Sequence, residues 1–383
     1  MLRVHRFRRS GRGASVSAFV GGNQVTLHHD ADGLDAIATA IAEAREEILL
    51  EMYWFGSDAT GWRFAHALID AASRGLRVRV VYDAIGSISS DDAMFDAMRR
   101  AGCEVREYHP IAPWRERHRW GRISHRNHRK LLVVDGTTAM IGGLNLADQW
   151  AREEDGGGGW RDDLVAISGP AVASVREIFE MSWGALTDPN DDDDGGSFDV
   201  GSAHIRVLGN HFRDERRVIR GAYLKRINAA KRSIYIANSY FVPDRRIRRA
   251  LTAAAARGVD VRVMVPGIND VPIVAIASRS FYSGLLRRGV RIYEWQGNVM
   301  HAKTAVVDAQ WLTIGTFNLD ARSLRYNLEI NTMIDDDALA EAAEARFLED
   351  LGEATEIRFA TWRLRPMLQR LIEGFVALLA GWL

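Results

Sequence analysis

One pattern occurs twice in the chain at fixed internal spacing. His128, Lys130 and Asp135, followed by Gly142, Gly143 and Asn145, recur as His301, Lys303 and Asp308, followed by Gly315, Thr316 and Asn318. A single short motif is weak evidence, but two copies sharing five identities at the same offsets indicate a duplicated structural unit. The surrounding hydrophobic patterning repeats too. In the first half, Leu34 to Ala44 is patterned as a helix, Glu47 to Phe55 as a buried strand, Gly61 to Arg74 as a helix and Leu76 to Tyr82 as a valine-rich strand. In the second, Ala222 to Ala230 reads as a helix, Ser233 to Phe241 as a strand, Arg245 to Arg257 as a helix and Val259 to Val265 as a strand. Arg74-Gly75 and Arg257-Gly258 stand at equivalent places before the two valine strands. Strands and helices alternating in this way predict an α/β fold of two similar halves, each a mixed sheet flanked by helices. The halves are expected to be related by a pseudo-twofold axis, with the active site between them.

The motif has a chemical reading. On a strand, alternate residues share a face, so His128 and Lys130 should converge, as should His301 and Lys303. Asp135-Gly136 is a tight-turn signal before a second strand, Thr138 to Ile141, that ends in Gly142-Gly143. Small residues there would let the backbone approach a phosphate, and Asn145 or Asn318 can donate to a phosphate oxygen. A lone histidine is more often a satisfied polar residue than a catalyst. Two copies on paired halves supply what cleaving and re-forming a phosphodiester requires, one imidazole to attack phosphorus and one to protonate the leaving alcohol. Lys130 and Lys303 would offset charge on the non-bridging oxygens. Asp135 and Asp308, beyond the apolar strand, read as structural residues tying turns. The chemistry calls for no metal or other cofactor, and the chain has no cysteine or histidine cluster at zinc spacing.

Composition narrows the class. The 383 residues carry 50 basic and 50 acidic side chains, a net charge of +0, which argues against binding duplex nucleic acid through a general positive field. Cys103 is the only cysteine, so no intrachain disulfide is possible, and it reads as a small core residue. Residues 1–21 read as a basic N-terminal arm, 22–186 as the first half, 187–200 as an acidic linker, 201–360 as the second half and 361–383 as an amphipathic C-terminal helix. The linker holds four consecutive aspartates, Asp191 to Asp194, without the ligand spacing of a calcium loop. No stretch reaches the ~18 apolar residues of a membrane span. The C-terminal helix sets a wide apolar side against Arg363, Arg365 and Arg370, a pattern of a helix lying in a membrane interface or of a terminal helix packed on the core. Trp114 to His128 interleaves tryptophan with arginine, and Arg115, Arg117, Arg119 and Arg126 are candidates for gripping phosphate headgroups or single-stranded nucleic acid.

The doubled motif, the segment Tyr82-Asp83-Ala84-Ile85-Gly86-Ser87 and the run Asn318 to Glu329 resemble the phospholipase D superfamily, and among its members most resemble the bacterial cardiolipin synthases. The resemblance covers nearly the whole chain, from about Gly22 to the final helix, and makes the two halves phospholipase D-like. It implies His128 as the nucleophile and His301 as the general acid, then base. It also implies that an acidic residue downstream of each motif orients the imidazoles. The matching positions are Asp162 and Glu329, with Asp163 a close rival to Asp162. The N-terminal membrane spans of some members are not matched, which favours the branch without them.

The implied reaction moves a phosphatidyl group from phosphatidylglycerol to a second phospholipid hydroxyl, releasing glycerol through a phosphohistidine. A phospholipase D hydrolase giving phosphatidic acid is the nearest alternative, and a metal-independent single-strand nuclease a more distant one. The expected partners are anionic phospholipids, with the protein peripheral at the cytoplasmic face of the cell membrane. A monomer would suffice, because the duplication supplies both histidines.

Overall fold

The structure, a computed structural model, describes residues 15–112, 124–186, 198–202, 204–210 and 217–378. The first half runs β1 (Val16–Val20), β2 (Asn23–His29), α1 (Ala31–Glu43), β3 (Glu47–Met52), α2 (Ala59–Ser73), β4 (Arg77–Asp83) and α3 (Asp92–Arg100). It continues through β5 (Glu104–Tyr108), β6 (Arg126–Asn127), β7 (Leu131–Val134), β8 (Thr138–Gly142), β9 (Asp163–Ser168) and α4 (Val172–Ala185). The second half runs β10 (Phe198–Gly201), β11 (Ile205–Asn210), α5 (Val218–Ala229), β12 (Ser233–Asn238), α6 (Arg245–Ala256), β13 (Asp260–Pro266), α7 (Pro272–Leu286) and β14 (Arg291–Trp295). Then come β15 (Lys303–Val307), β16 (Trp311–Gly315), α8 (Ala321–Arg325), β17 (Asn327–Asp335), α9 (Asp337–Asp350), β18 (Ala354–Ile357), α10 (Phe359–Trp362) and α11 (Met367–Leu378).

The duplication is a property of the sheets. The first has the order β1-β2-β9-β8-β7-β3-β4-β5, and the second repeats it as β10-β11-β17-β16-β15-β12-β13-β14, with β18 added at the edge. In each, three parallel strands joined by helices meet an antiparallel set that includes the strands flanking the motif turn. The matched helices α2 and α6 start at aspartate caps, Asp58 and Asp244, whose carboxylates accept backbone N–H groups. Both end at a left-handed glycine, Gly75 at φ +90° and Gly258 at φ +89°.

The two mixed sheets flanked by helices are those expected from the sequence. One apolar core, with α4 and α9, fills the space between the sheets, joining Val165 and Ile167 to Leu312, Ile314 and Ile334. Separate cores lie under α1 to α3 and under α5 to α7. Several boundaries differ, among them the strand expected to Phe241, which ends at Asn238, and the expected C-terminal helix, which is divided into α10 and α11. Residues 16–20 of the expected arm form β1, paired along its length with β2, and residues 198–200 of the expected linker belong to β10. Residues 1–14 and 187–197 lie outside the described residues. The strand read to Phe55 stops at Met52, because Trp54 N–H donates instead to Asn145 Oδ1 (3.0 Å) and Phe55 N–H to Ser87 Oγ (3.0 Å).

Candidate active site

Backbone bonds between the halves place each motif histidine. His128 and Lys130 precede β7 rather than sit on it. Just ahead of them β6 pairs with the start of β17, and His128 N–H donates to Leu328 O at 3.0 Å. The next residue of β17 is Glu329, whose Oε2 lies 3.0 Å from His128 Nδ1. The second site repeats the device. Arg161 bridges Met300, His301 N–H donates to Arg161 O at 2.7 Å, and Asp162 Oδ2 lies 2.9 Å from His301 Nδ1. The acidic partners are thus exchanged between halves, since each strand delivers its carboxylate to the histidine it bridges. Both carboxylates take Nδ1 and so direct Nε2 toward chemistry, although at His301 that nitrogen also has Lys303 Nζ beside it.

Further contacts hold the carboxylates. Trp150 Nε1 donates to Asp162 Oδ2 (2.9 Å), and Thr316 Oγ1 donates to Glu329 Oε2 (2.5 Å). Asp163 turns to a different network, accepting from His29 Nδ1 (2.7 Å) and pairing with Arg161. The motif glycines make room for close neighbours within the fold, Gly143 for the Asp162 carboxylate and Gly142 for the backbone of the adjacent strand. A Cβ at Gly143 would meet Asp162 Oδ1 at 2.1 Å, and one at Gly142 would meet Asp163 O at 2.3 Å. Lys130 Nζ donates to His128 O (2.9 Å) and stands 4.9 Å from the centre of the Tyr53 ring. Lys303 Nζ lies 2.9 Å from His301 Nδ1 and 3.0 Å from Nε2.

All six of these histidine, lysine and acidic side chains are buried, and burial is the largest influence on their proton affinities. Desolvation, with the Lys130 charge second, pushes His128 well below the ordinary histidine range. Its partner Glu329 is pushed up to about 7 by burial. His301 is lowered by burial and by Lys303, against the opposing pull of Asp162. Although burial works to raise Asp162, its bond to His301 and the nearby charges hold it below the usual carboxylate range. Lys303 is lowered to about 8 and Lys130 well below its usual value, both by desolvation first. Both imidazoles are thus shifted toward the neutral form, His128 the more strongly, while His301 stands beside an ionised carboxylate that opposes the shift.

His128 and His301 line one cavity of about 320 Å³, together with Asn145 and Asn318. Both amide oxygens are taken by the protein, Asn145 Oδ1 by Trp54 N–H and Asn318 Oδ1 by Ser239 Oγ, which leaves the NH2 ends as the donors for a ligand. Asp135 and Asp308 lie away from the cavity, each accepting three consecutive backbone N–H groups, Arg45 to Glu47 and Lys231 to Ser233. Arg126 is a correction to the headgroup reading. It is 1% exposed, donates to the carbonyls of His125 and His109, and sits 3.6 Å from Asp83, so its guanidinium is spent on contacts within the protein. Arg115, Arg117 and Arg119 lie outside the described residues.

Several participants were not singled out from sequence. Tyr53 packs edge-on to His128 with ring centres 4.8 Å apart, Trp150 does the same to His301 at 5.2 Å, and Arg322 and Asp320 line the cavity. Thr316 carried a signal, as the one motif position where the copies differ in residue type, Gly143 against Thr316. Asp83 is a positioning residue. Its carboxylate accepts the N–H groups of Ile85, Gly86 and Asn127, the residue before His128.

Residues 37–183 and 223–351 match the family described as cardiolipin synthase, PLD-like domain. A cardiolipin synthase of Geobacillus thermodenitrificans is 35% identical over 350 residues, 90% of this chain and 69% of that protein. The major cardiolipin synthase of Bacillus subtilis is 32% identical over 374 residues, 95% of this chain and 76% of that protein. The crystal structure of a phosphatidylserine synthase from Haemophilus influenzae superposes with a TM-score of 0.73 at 15% identity, covering 94% of this chain and 95% of the other, a likeness of fold. Duplicated sheets meeting at paired histidines define a phospholipase D-type enzyme. Within that class the chain belongs to the cardiolipin synthase family with PLD-like domains, and it is an enzyme of the phosphatidyltransferase type.

Proposed function

We propose that the protein transfers a phosphatidyl group from phosphatidylglycerol to the hydroxyl of a second phospholipid, making cardiolipin. The observation that carries this reading is that His128 and His301, each coupled behind to a carboxylate of the other half, line one cavity. His128 Nε2 attacks phosphorus and forms a P–N bond as the P–O bond to glycerol breaks, and His301 gives its proton to the departing oxygen. The second lipid's hydroxyl then attacks phosphorus, loses its proton to His301, and the P–N bond breaks to restore His128. The difference between the couples supports this division of labour: His128 is the more strongly held neutral, as an attacking histidine must be, and the ionised Asp162 opposes the loss of a proton from His301. The amide groups of Asn145 and Asn318 at the cavity, and the charges of the two lysines behind it, would stabilise the charge of five-coordinate phosphorus. Aromatic lining from Tyr53, Trp54, Trp150, Trp160 and Tyr240 disfavours water as the acceptor.

The test is lipid mass spectrometry after incubating the protein, without added metal, with phosphatidylglycerol vesicles, beside the His128→Ala variant. Cardiolipin and glycerol, absent with the variant, are the expected products. Phosphatidic acid alone would make the enzyme a hydrolase. Absence of any lipid product would defeat the reading and redirect the search to single-stranded nucleic acid.

A further inference from the structure

A second cavity, of about 400 Å³, opens between α6 and α7. Its cationic lining is Arg245, Arg248, Arg249 and Arg288, joined by Thr252 and Phe281, and it contains no acidic side chain. Among the described residues none of the four arginines forms an ion pair, in a chain whose opposite charges are equal in number. The neighbouring acid, Asp244, is committed elsewhere, accepting Ile247 N–H at the cap of α6 and pairing with Arg220 at 2.8 Å. Arg248 is held with its guanidinium 4.5 Å from the Phe281 ring centre, and its Nε is buried without a hydrogen-bond partner among the described residues. Four arginines lining one cavity, with one buried donor unused, offer the chemistry of a phosphate site.

The place of this cavity points to the source of the phosphate. Val242, Val274 and Ala277 form a small apolar cluster under α7. Phe281, from the arginine cavity, packs on it, and so do Tyr240 and Val271, which line the catalytic cavity. Val376 of α11 packs on the same cluster. Beside this contact α11 presents Met367, Leu368, Leu371, Ile372 and Phe375 to solvent, with Leu368 70% and Phe375 68% exposed. Arginine cavity, exposed apolar helix and catalytic cavity thus share one layer of side chains. Ile268 and Ile273, exposed on either side of Asp270 and Val271, extend the apolar surface to the rim of the catalytic cavity.

We propose that the α6–α7 cavity binds the headgroup phosphate of an anionic phospholipid that is not being transformed. While it is bound, the apolar side of α11 enters the leaflet and the catalytic cavity meets the membrane. The choice of a lipid over a soluble phosphate rests on the lipid reading of the catalytic cavity.

The test compares the whole protein with the triple variant Arg245→Gln, Arg249→Gln, Arg288→Gln, whose three side chains are exposed and outside the catalytic machinery. A control triple, Arg45→Gln, Arg100→Gln, Arg232→Gln, removes as many exposed charges elsewhere. Cosedimentation is measured with phosphatidylcholine vesicles with and without phosphatidylglycerol, and turnover with a monomeric short-chain donor. The cavity triple should lose on the order of a hundredfold in affinity for the anionic vesicles while keeping short-chain turnover, and the control should lose far less. Equal losses in the two triples would reduce the effect to diffuse attraction and overturn the site. Unchanged vesicle binding in the cavity triple, with tight calorimetric binding of inorganic phosphate that only this triple loses, would overturn the lipid assignment. Vesicle binding is read without turnover, so failure of the catalytic reading would not be mistaken for failure of the site.

Discussion

At the scale of single residues, the two carboxylates have different electrostatic duties, and substitution should separate them. Asp162 is held ionised beside His301, so Asp162→Asn removes the charge that supports the imidazolium; kcat should fall by about 10²–10⁴. Glu329, pushed up to about 7, is already partly protonated near neutrality, so Glu329→Gln should cost far less, on the order of tenfold. Equal losses would show that the couples are not differentiated. Glu329 also links stability to pH. Its carboxyl binds a proton in the folded protein at pH values where the unfolded chain has released it, so its contribution is full below about 4.5 and is lost as pH rises to about 7. Glu329→Gln should remove that share of the decline in a series of denaturant titrations. On the alkaline side, Lys303 loses its charge through about 8, so kcat/KM should fall there, and Lys303→Arg should move that limb upward.

At the scale of elements, the repeat was legible because its signals are local. Valine strands, glycine helix stops and the motif turn each depend on neighbours in sequence, so β4, β13, α2 and α6 lie within a residue or two of where their patterns placed them. What lay hidden depends on contacts distant in sequence. The exchange of Asp162 and Glu329 is set by inter-half bridges at β6–β17 and Arg161–Met300, which no spacing within either half encodes. The glycines show the same divide. Gly258 has a positive φ and nothing within 4 Å of its missing Cβ, so Gly258→Ala should cost only the local backbone term, about 1 kcal/mol. Gly143 has ordinary backbone but would drive a Cβ into Asp162, so Gly143→Ala should damage activity more than stability. Paired measurements of unfolding midpoint and kcat distinguish the two. The apolar side of α11 is equally specific: Leu368→Glu and Leu371→Glu should leave stability within about 0.5 kcal/mol, because both side chains are exposed, yet weaken cosedimentation with vesicles.

At the scale of the whole molecule, the halves are held as one body by more than the core between them. Beside the His301 couple, Arg161 is buried between Asp163 of its own half and Asp350 of the other, with its Nε 2.8 Å from Asp350 Oδ2. Arg346 joins Asp350 to Asp30 at 3.1 Å, and Thr304 donates to Asp163. Burial alone would raise Asp163, but the Arg161 charge overrides it and keeps the carboxylate ionised. The backbone of the same arginine bridges Met300 and accepts the N–H of His301, so the network that joins the halves also fixes the catalytic geometry. Arg161→Leu would take from Asp163 and Asp350 the cation they share, leaving Asp350 with Arg346 and Asp163 with His29 and Thr304; breaking a buried pair costs about 3–5 kcal/mol, whereas removing all the charges of a buried network is often neutral. The single variant should therefore lose about that much in a denaturant titration, and adding Asp163→Asn and Asp350→Asn should restore most of it. If the triple variant regains stability but not kcat, the buried charges hold the halves in the register the chemistry requires. If both return together, the apolar core and the backbone bridges alone set that register.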